Sequence, residues 1–327
     1  MKNIRLKDIA EALGLSVSTV SRALSRKGKI SVETIRRVEE KAREMGYLPN
    51  SIAKGLKTRS THMVGLLIPD ITNPIFPEYA QGILDTASEH GYQIIMLNTY
   101  KDRNKERMAI LSLLSNQVDG LVLTSTKLLR RELMELKSKG VCFVVTRREL
   151  RIPGVSFVDV DNFHGGYTAT EYLIETGKTR IAFIGSRFSG EPARRRLKGY
   201  VKALKDNGLQ IREEWIVEDE SSFEGGYRAT QKVAHDVEAI FAYNDIMAIG
   251  ALIYAFENQL NVPEELAIVG FDDIPFSSLP IVNLTTMRQP MYEMGKQAFE
   301  TLMNLMKNQA GAHRIWLKPT LMKRGTA

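Results

Sequence analysis

A single cysteine, Cys142, stands among 327 residues, and its place in the apolar run "GVCFVV" makes it a buried strand residue. One thiol excludes internal disulfides and suits a reducing compartment. No stretch of 18 apolar residues occurs, which argues against a membrane-spanning helix. The N-terminus "MKNIRLKDIAEALG" lacks the apolar centre of a signal peptide, and its acidic residues and helical periodicity belong to a folded element; the expected location is cytoplasmic. The five histidines, His62, His90, His164, His235 and His313, show no metal-ligand spacing, and HExxH, P-loop and GxSxG patterns are missing. Asp272 and Asp273 are neighbours at a strand end, so their side chains diverge and do not form a paired-carboxylate acid/base site. The expectation is a protein that is not an enzyme, with no catalytic residue, no metal and no cofactor.

Excess charge is missing from most of the chain as well. Beyond residue 60 there are 31 Lys+Arg against 32 Asp+Glu, whereas residues 1–60 hold 14 against 6. A compact basic module on a neutral body is the electrostatic footprint of a polyanion binder, with double-stranded DNA the leading partner. The length and the ordinary composition, 43% apolar and 25% charged, suit two or three domains.

Within that module Leu6, Ile9, Ala10 and Leu13 recur at helical spacing until Gly14 breaks the pattern. Ser16 caps a second helix that turns Val20, Ala23 and Leu24 inward. Ser31 caps a third, with Ile35, Val38, Ala42 and Met45 buried and Gly46 closing it. Three short helices with a tight turn between the first two make a helix-turn-helix. The second helix leaves Val17, Ser18, Ser21, Arg22 and Ser25 outward, short side chains and one guanidinium that suit a close approach to base edges; a solvated helix face is the bland alternative. Further on, "NSIAKGLK" reads as a helix capped by Asn50, with Ile52, Ala53 and Leu56 on one face. Two turns are too few for an isolated helix, and Gly55 costs it about 1 kcal/mol more.

From His62 onward apolar runs alternate with amphipathic segments. "MVGLLIP", "QIIMLN", "DGLVLTS" and "CFVVT" read as buried strands with helices around 76–90, 104–116 and 129–138. "RIAFIGS", "AIFAYND" and "LAIVGFDD" form a second series with helices around 162–176, 193–206 and 244–258. Repeated strand-helix units predict parallel sheets covered on both faces, in two doubly wound lobes with a ligand cleft at the strand ends. "LDTASEHGYQI" at 84–94 and "VKALKDNGLQI" at 201–211 are a faint internal repeat, each ending a helix with glycine and resuming a strand.

The stretch "RLKDIAEALGLSVSTVSRALSRKGKISVETIRRVEEKAREMGYLPNSIAKGLKT" resembles the DNA-binding headpiece of the lactose and galactose repressor (LacI/GalR) family, and the similarity runs through the whole chain. It implies a homodimer on a pseudo-palindromic operator. Val17, Ser18 and Arg22 take the base-reading positions, Thr19, Ser21 and Ser25 lie near the backbone, and Leu6, Ser16 and Asn50 count among the DNA contacts. By the same resemblance the short helix is a hinge helix that orders on operator DNA, with Leu56 wedged between base steps, Ala53 allowing close approach, and Lys54 and Lys57 near phosphates.

For the remainder the resemblance implies a periplasmic-binding-protein-like core with three chain crossings, near Val160-Asn162, Gln289-Pro290 and Leu317-Pro319. The expected domains are a headpiece at 1–48, a hinge at 49–60 and an effector-binding and dimerisation core at 61–327. Lobe one takes about 61–160 and 290–317, and lobe two about 162–289 and 319–327. Ile75, Phe76, Arg196, Asn244 and Asp272 fall on the family's ligand-contacting positions. Taken singly they have plainer readings: a turn at "NPIF", helix N-caps at Asn244 and Asp272, a solvated arginine. Two departures stand out. Arg147 replaces the acidic residue that relatives carry after the fourth strand, and with Arg194, Arg195 and Arg196 it suggests an anionic effector such as a sugar acid or sugar phosphate. The aromatic that stacks on the ligand falls on Ser221 or Ser222, so Phe223 serves only if the loop shifts. The resulting reading is a ligand-responsive operator-binding regulator, a repressor of carbohydrate-use genes. A solute-binding or sugar-modifying protein on the same core fold is the alternative.

Overall fold

The computed structural model describes residues 4–47, 60–186, 190–308 and 311–327. It divides into two compact units, Met1–Thr61 and His62–Ala327. In the first, helices α1 (Leu6–Leu13), α2 (Val17–Leu24) and α3 (Val32–Glu44) bury Ile9, Ala10, Val20, Ala23, Val38 and Ala42. Every helix start is satisfied locally. Asp8 accepts the Arg5 N–H at 2.7 Å, and Ser16 and Ser31 accept the amides of Thr19 and Thr34. Gly14, at φ 65°, makes the left-handed turn that sends the chain from α1 into α2.

The second unit contains two six-stranded sheets. Sheet one holds β1 (Met63–Ile68), β2 (Gln93–Asn98), β3 (Gly120–Thr124), β4 (Phe143–Thr146), β5 (Ser156–Val160) and β11 (Arg314–Leu317), in the order β11-β5-β4-β3-β1-β2, all parallel. Sheet two holds β6 (Ile181–Ser186), β7 (Ile216–Asp219), β8 (Ala239–Ala242), β9 (Ala267–Asp272), β10 (Thr285–Arg288) and β12 (Thr320–Met322), in the order β12-β10-β9-β8-β6-β7. Only β12 runs antiparallel, against β10. Each sheet thus repeats the same winding, with one C-terminal strand added at an edge, and aims its strand ends at a shared cleft.

Helices α4 (Phe76–Glu89), α5 (Arg103–Ser115), α6 (Arg130–Ser138) and α11 (Met291–Met306) belong to lobe one. Lobe two has α7 (Asn162–Glu175), α8 (Gly190–Asp206), α9 (Phe223–Val233) and α10 (Asp245–Glu257). The chain leaves sheet one after β5, returns after β10 and crosses again between β11 and β12, so Asp161, Gln289-Pro290 and Lys318-Pro319 are the passages.

The three most extensive helix seams, α7 with α8, α4 with α11, and α9 with α10, each close on a pair of glycines. A Cβ on Gly166 or Gly199 would collide with the carbonyl oxygens of Arg196 or Phe163, and Gly82/Gly295 and Gly226/Gly250 repeat the arrangement. Such backbone contact leaves no room for relaxation. We expect Gly199→Ala to lower stability by about 1–3 kcal/mol, the usual cost of overpacking. A thermal melt indistinguishable from wild type would refute the tight seam.

The sequence reading missed β5, β7, β10, β11, β12, α9 and α11. These strands are short: "IVED" and "TTMR" mix polar residues with apolar ones, and "RIWL" is only partly buried, so none carries a long apolar run. Cys142 is not a buried strand residue: it lies just before β4 and is half-buried. The internal repeat also needs correction. After Gly91 the strand resumes at Gln93, but after Gly208 the charged segment Arg212-Glu213-Glu214 intervenes, Trp215 anchors a 3-10 turn, and β7 begins only at Ile216.

Candidate functional site

In the first unit α2 presents Val17 at 45% exposure, with Ser18, Arg22 and Ser25 also exposed and Thr19 and Ser21 half-buried. Ser16 is committed to capping, its Oγ within 2.8 Å of both the Ser18 and Thr19 hydroxyls. Ser25 donates back to the Ser21 carbonyl at 2.7 Å. Arg22 touches its own helix only through Nε to the Ser18 carbonyl, 3.3 Å away, and the guanidinium is otherwise held out from the surface. Leu6 is half-buried against the small core. Asn50, Ala53, Lys54, Leu56 and Lys57 lie outside the described residues.

In the second unit the strand ends converge on a chain of buried polar side chains. Arg147 follows β4 with φ 56°, its guanidinium 5.4 Å from the Phe76 ring. It donates from Nη1 to Gln289 Oε1 at 3.1 Å and contacts the Met291 sulfur at 3.4 Å. Gln289 Nε2 donates to Asp272 Oδ1 in a very short bond, and Asp272 stands 3.5 Å from Arg196 Nη1. Arg196 donates to Asn162 Oδ1 at 2.9 Å and to the Tyr243 carbonyl at 2.6 Å, with its guanidinium 3.5 Å from the centre of the Phe271 ring. Asn162 in turn reaches Asp159 at 3.4 Å. Ile75 and Phe76 form an apolar wall with Ile274 and Met291. Asn244 is a helix N-cap, accepting the Met247 amide while donating to Ser221 Oγ at 2.9 Å.

Six of the seven residues named from sequence therefore lie in or beside this network. Phe223 does not: it opens α9 at 40% exposure, Ser222 caps that helix, and the hydroxyl of Ser221 occupies the place beside Asn244. The arginine run also separates. Arg196 is buried in the network, Arg195 is engaged by Glu149 and Glu191, and Arg194 reaches Glu191 at 3.8 Å. Sequence reasoning did not assign Gln289, Asn162, Asp159 or Tyr243 to the site. Gln289 and Asn162 mark crossings in the chain, and a polar residue in a crossing segment was the available signal.

The network is under electrostatic and conformational tension. Burial pushes the Asp159 carboxyl up to about 6, against the Val160 amide and the Arg147 and Arg196 charges. Burial also raises Asp272, opposed first by Arg196. Neighbouring Asp245 is pushed up to about 7 by burial and then by the Asp272 charge, although Ser277, Thr286 and the Ile274 amide all bond to it. Asp272 holds φ 129° and Asp273 φ 58°, a region that L residues rarely enter. Asp273 turns away to Arg288 and Arg324 at 2.6 and 2.7 Å, so the two carboxylates do diverge. Among the described residues Arg147 Nε and Arg196 Nη2 are buried without a hydrogen-bond partner, which marks donors arranged for an acceptor from elsewhere. Beside them a cavity of about 270 Å³ opens between the loops after β3 and β4 and the start of α8.

A helix-turn-helix unit followed by a two-lobed α/β receptor with its polar groups at the strand ends defines a DNA-binding, ligand-sensing protein. The comparisons agree. Residues 5–50 match the model of bacterial regulatory proteins of the lacI family, and residues 170–327 match a periplasmic binding protein-like domain. The chain is 35% identical to the ribose operon repressor of Escherichia coli (strain K12) over 329 residues, 98% of this chain and 99% of that protein. To catabolite control protein A of Priestia megaterium it is 33% identical, covering 94% of each. Among solved structures, the Lac repressor dimer bound to operator and the anti-inducer ONPF aligns with a TM-score of 0.91 at 26% identity over 99% of both chains. The CelR–cellobiose complex gives 0.76 at 28% over 99% and 100%. This chain belongs to the lacI family of bacterial regulatory proteins and is a sequence-specific DNA-binding transcriptional regulator.

Proposed function

We propose that this protein is a repressor that holds a pseudo-palindromic operator as a homodimer and changes its DNA affinity when a small polyol-type effector enters the inter-lobe cleft. The observation that carries the reading is the buried chain Arg147–Gln289–Asp272–Arg196–Asn162, which ties lobe one to lobe two and runs through two of the three crossing segments. A ligand that competes for these hydrogen bonds acts directly on the angle between lobes. The relatives named for ribose and cellobiose support a sugar class of effector. On this reading Ile75, Phe76, Arg147, Arg196, Asn244 and Asp272 contact the effector, Val17, Ser18 and Arg22 read bases, and Ser16, Thr19, Ser21 and Ser25 face the backbone. The division into a headpiece at 1–48, a hinge at 49–60 and a core at 61–327 is part of the same proposal.

Binding-site selection from random duplexes, followed by fluorescence anisotropy on the selected operator with and without a sugar panel, tests it. Operator affinity that no member of the panel alters would reject the switch. The dimer is supported by large apolar side chains left in the open: Ile281 is 93% and Phe256 85% exposed in lobe two, and Met108 and Leu111 are exposed on α5 of lobe one. A Phe256→Glu, Ile281→Glu double variant is expected to sediment as a monomer and to bind the operator at least 100-fold more weakly, because two half-sites then no longer share one entropic cost. Unchanged sedimentation would remove this surface from the interface.

A further inference from the structure

Strand β5 is buried along its whole length, so the carboxylate of Asp159 inside it is costly to the fold. Asp159 is 2% exposed. Val158 and Val160 pack with α11 in one apolar cluster and Phe157 lies in another, so by strand alternation Asp159 faces away from α11. It precedes Val160 and the passage at Asp161, at the rim of lobe one.

What the carboxylate does there is orient its neighbour. Asp159 Oδ1 accepts the Val160 N–H at 2.8 Å and, over a longer 3.4 Å, the side-chain amide of Asn162. The same Nδ2 donates to the Val160 carbonyl at 2.9 Å. Two acceptors on one side settle which end of that amide is nitrogen, and they leave Asn162 Oδ1 to accept Arg196 Nε at 2.9 Å. A short path, Asp159 to Asn162 to Arg196 to Asp272, thus joins a titratable group of lobe one to the guanidinium that clasps lobe two.

Titratable groups stand around it on each neighbouring element. Arg147 follows β4, the strand paired with β5, and Arg195 and Arg196 act on it from α8. Asp161 caps α7 through the His164 amide, which brings His164 to the same helix start. β11 sets Trp316 opposite Asp159 in register, and Lys318 follows the end of that strand. Burial outweighs the Val160 amide and the arginines and holds the Asp159 carboxyl at about 6. When Asp159 and Asp272 are both ionised they balance Arg147 and Arg196. A proton on Asp159 leaves one positive charge in excess and takes the ionic acceptor from Asn162.

We propose that Asp159 is a proton-responsive positioning residue: its ionised form holds Asn162, and through it Arg196, in the clasp between the lobes, and its protonation loosens that clasp and shifts the resting operator affinity. The inference rests on the reading of the cleft as a switch and gives that switch a second input.

The test uses the full chain on its selected operator. Anisotropy gives operator affinity at pH 7.5 and pH 5.5, at one ionic strength, for wild type, Asp159→Asn and Asn162→Ala. Residues 1–61 contain no histidine, and titrations shared by the three proteins cancel when their pH ratios are compared. The wild-type ratio is expected to differ about 3-fold to 10-fold from that of Asp159→Asn, since one pKa unit of difference between two regulatory states corresponds to 10-fold. Asn162→Ala should give the Asp159→Asn ratio, because the carboxylate then has no amide to hold. Equal ratios in wild type and Asp159→Asn would overturn the proposal. So would a full wild-type response in Asn162→Ala, which would make the effect one of charge alone. Thermal unfolding checks the titration itself. A carboxyl held above its ordinary value costs the fold stability as pH rises through about 4 to 6, so Asp159→Asn is expected to melt no lower than wild type at pH 7.5. A lower melting temperature would mean that the arginines keep Asp159 ionised, and would remove its response. The sugar panel separates this proposal from the effector reading. Equal pH ratios with a sugar response intact remove Asp159 and leave the switch, whereas a pH difference with no sugar response removes the sugar and leaves the proton link.

Discussion

Arg196→Met is expected to destabilise the core by about 3–5 kcal/mol and to abolish the response of operator binding to effector. Arg196 is 1% exposed and its guanidinium stands 3.5 Å from Asp272, which is itself buried. Removing one member of such a pair leaves an uncompensated charge in a low-dielectric site, and that loss exceeds the net worth of the pair. The change also releases the Tyr243 carbonyl and Asn162, so the strand ends of lobe two lose their common clasp. Methionine keeps most of the volume against Phe271, which confines the effect to charge and hydrogen bonding. Adding Asp272→Asn to Arg196→Met should recover part of the stability, because the orphaned carboxylate is then gone. Denaturant unfolding of the two single variants and the double variant measures this, and strictly additive losses would contradict a coupled pair.

Arg22→Ala is expected to weaken operator binding by about 30-fold to 10⁴-fold. One bidentate guanidinium contact to guanine discriminates by about 1–3 kcal/mol, and a symmetric operator loses two. Among the described residues the Arg22 side chain bonds only to the Ser18 carbonyl, and alanine is a good helix former, so the small core around Val20 and Ala23 should stay intact. Non-specific binding at low salt should fall far less, since only one charge per headpiece is lost. Anisotropy on the selected operator and on an unrelated duplex separates the two. A uniform loss on both sequences would move Arg22 from base reading to phosphate contact.

The headpiece was legible almost residue by residue, because its three helices are short, local and punctuated by Gly14, Ser16, Ser31 and Gly46. Ile9, Ala10, Val20, Ala23, Val38 and Ala42 are buried where the 3.6-residue period puts them. The central strands of the core were legible for a similar reason: runs such as "LVLT" and "AIFA" are buried on both faces. The edges were not. β11 and β12 are short, partly exposed, and belong to different sheets although only two residues separate them. The site was half legible. Asn244 and Asp272 stand at the ends of readable elements and Arg196 within a readable helix, whereas Gln289 and Asn162 acquire their partners only when the chain has crossed between lobes, a long-range closure that no local period encodes. Arg147 was found from sequence, but its bond from Nη1 to Gln289 was not, because that partner also lies across a crossing.

Gln289 sits on one passage between the lobes, Asn162 directly follows another, and both are members of the polar network. On the proposed reading the joints of the molecule and its receptor share residues, so no relay through the lobe interiors is needed to convert occupancy into movement. A genetic screen would feel this economy. Mutants blind to the effector and mutants frozen in one regulatory state should map to the same few codons, and selection for a new effector would repeatedly alter the resting level of expression along with specificity.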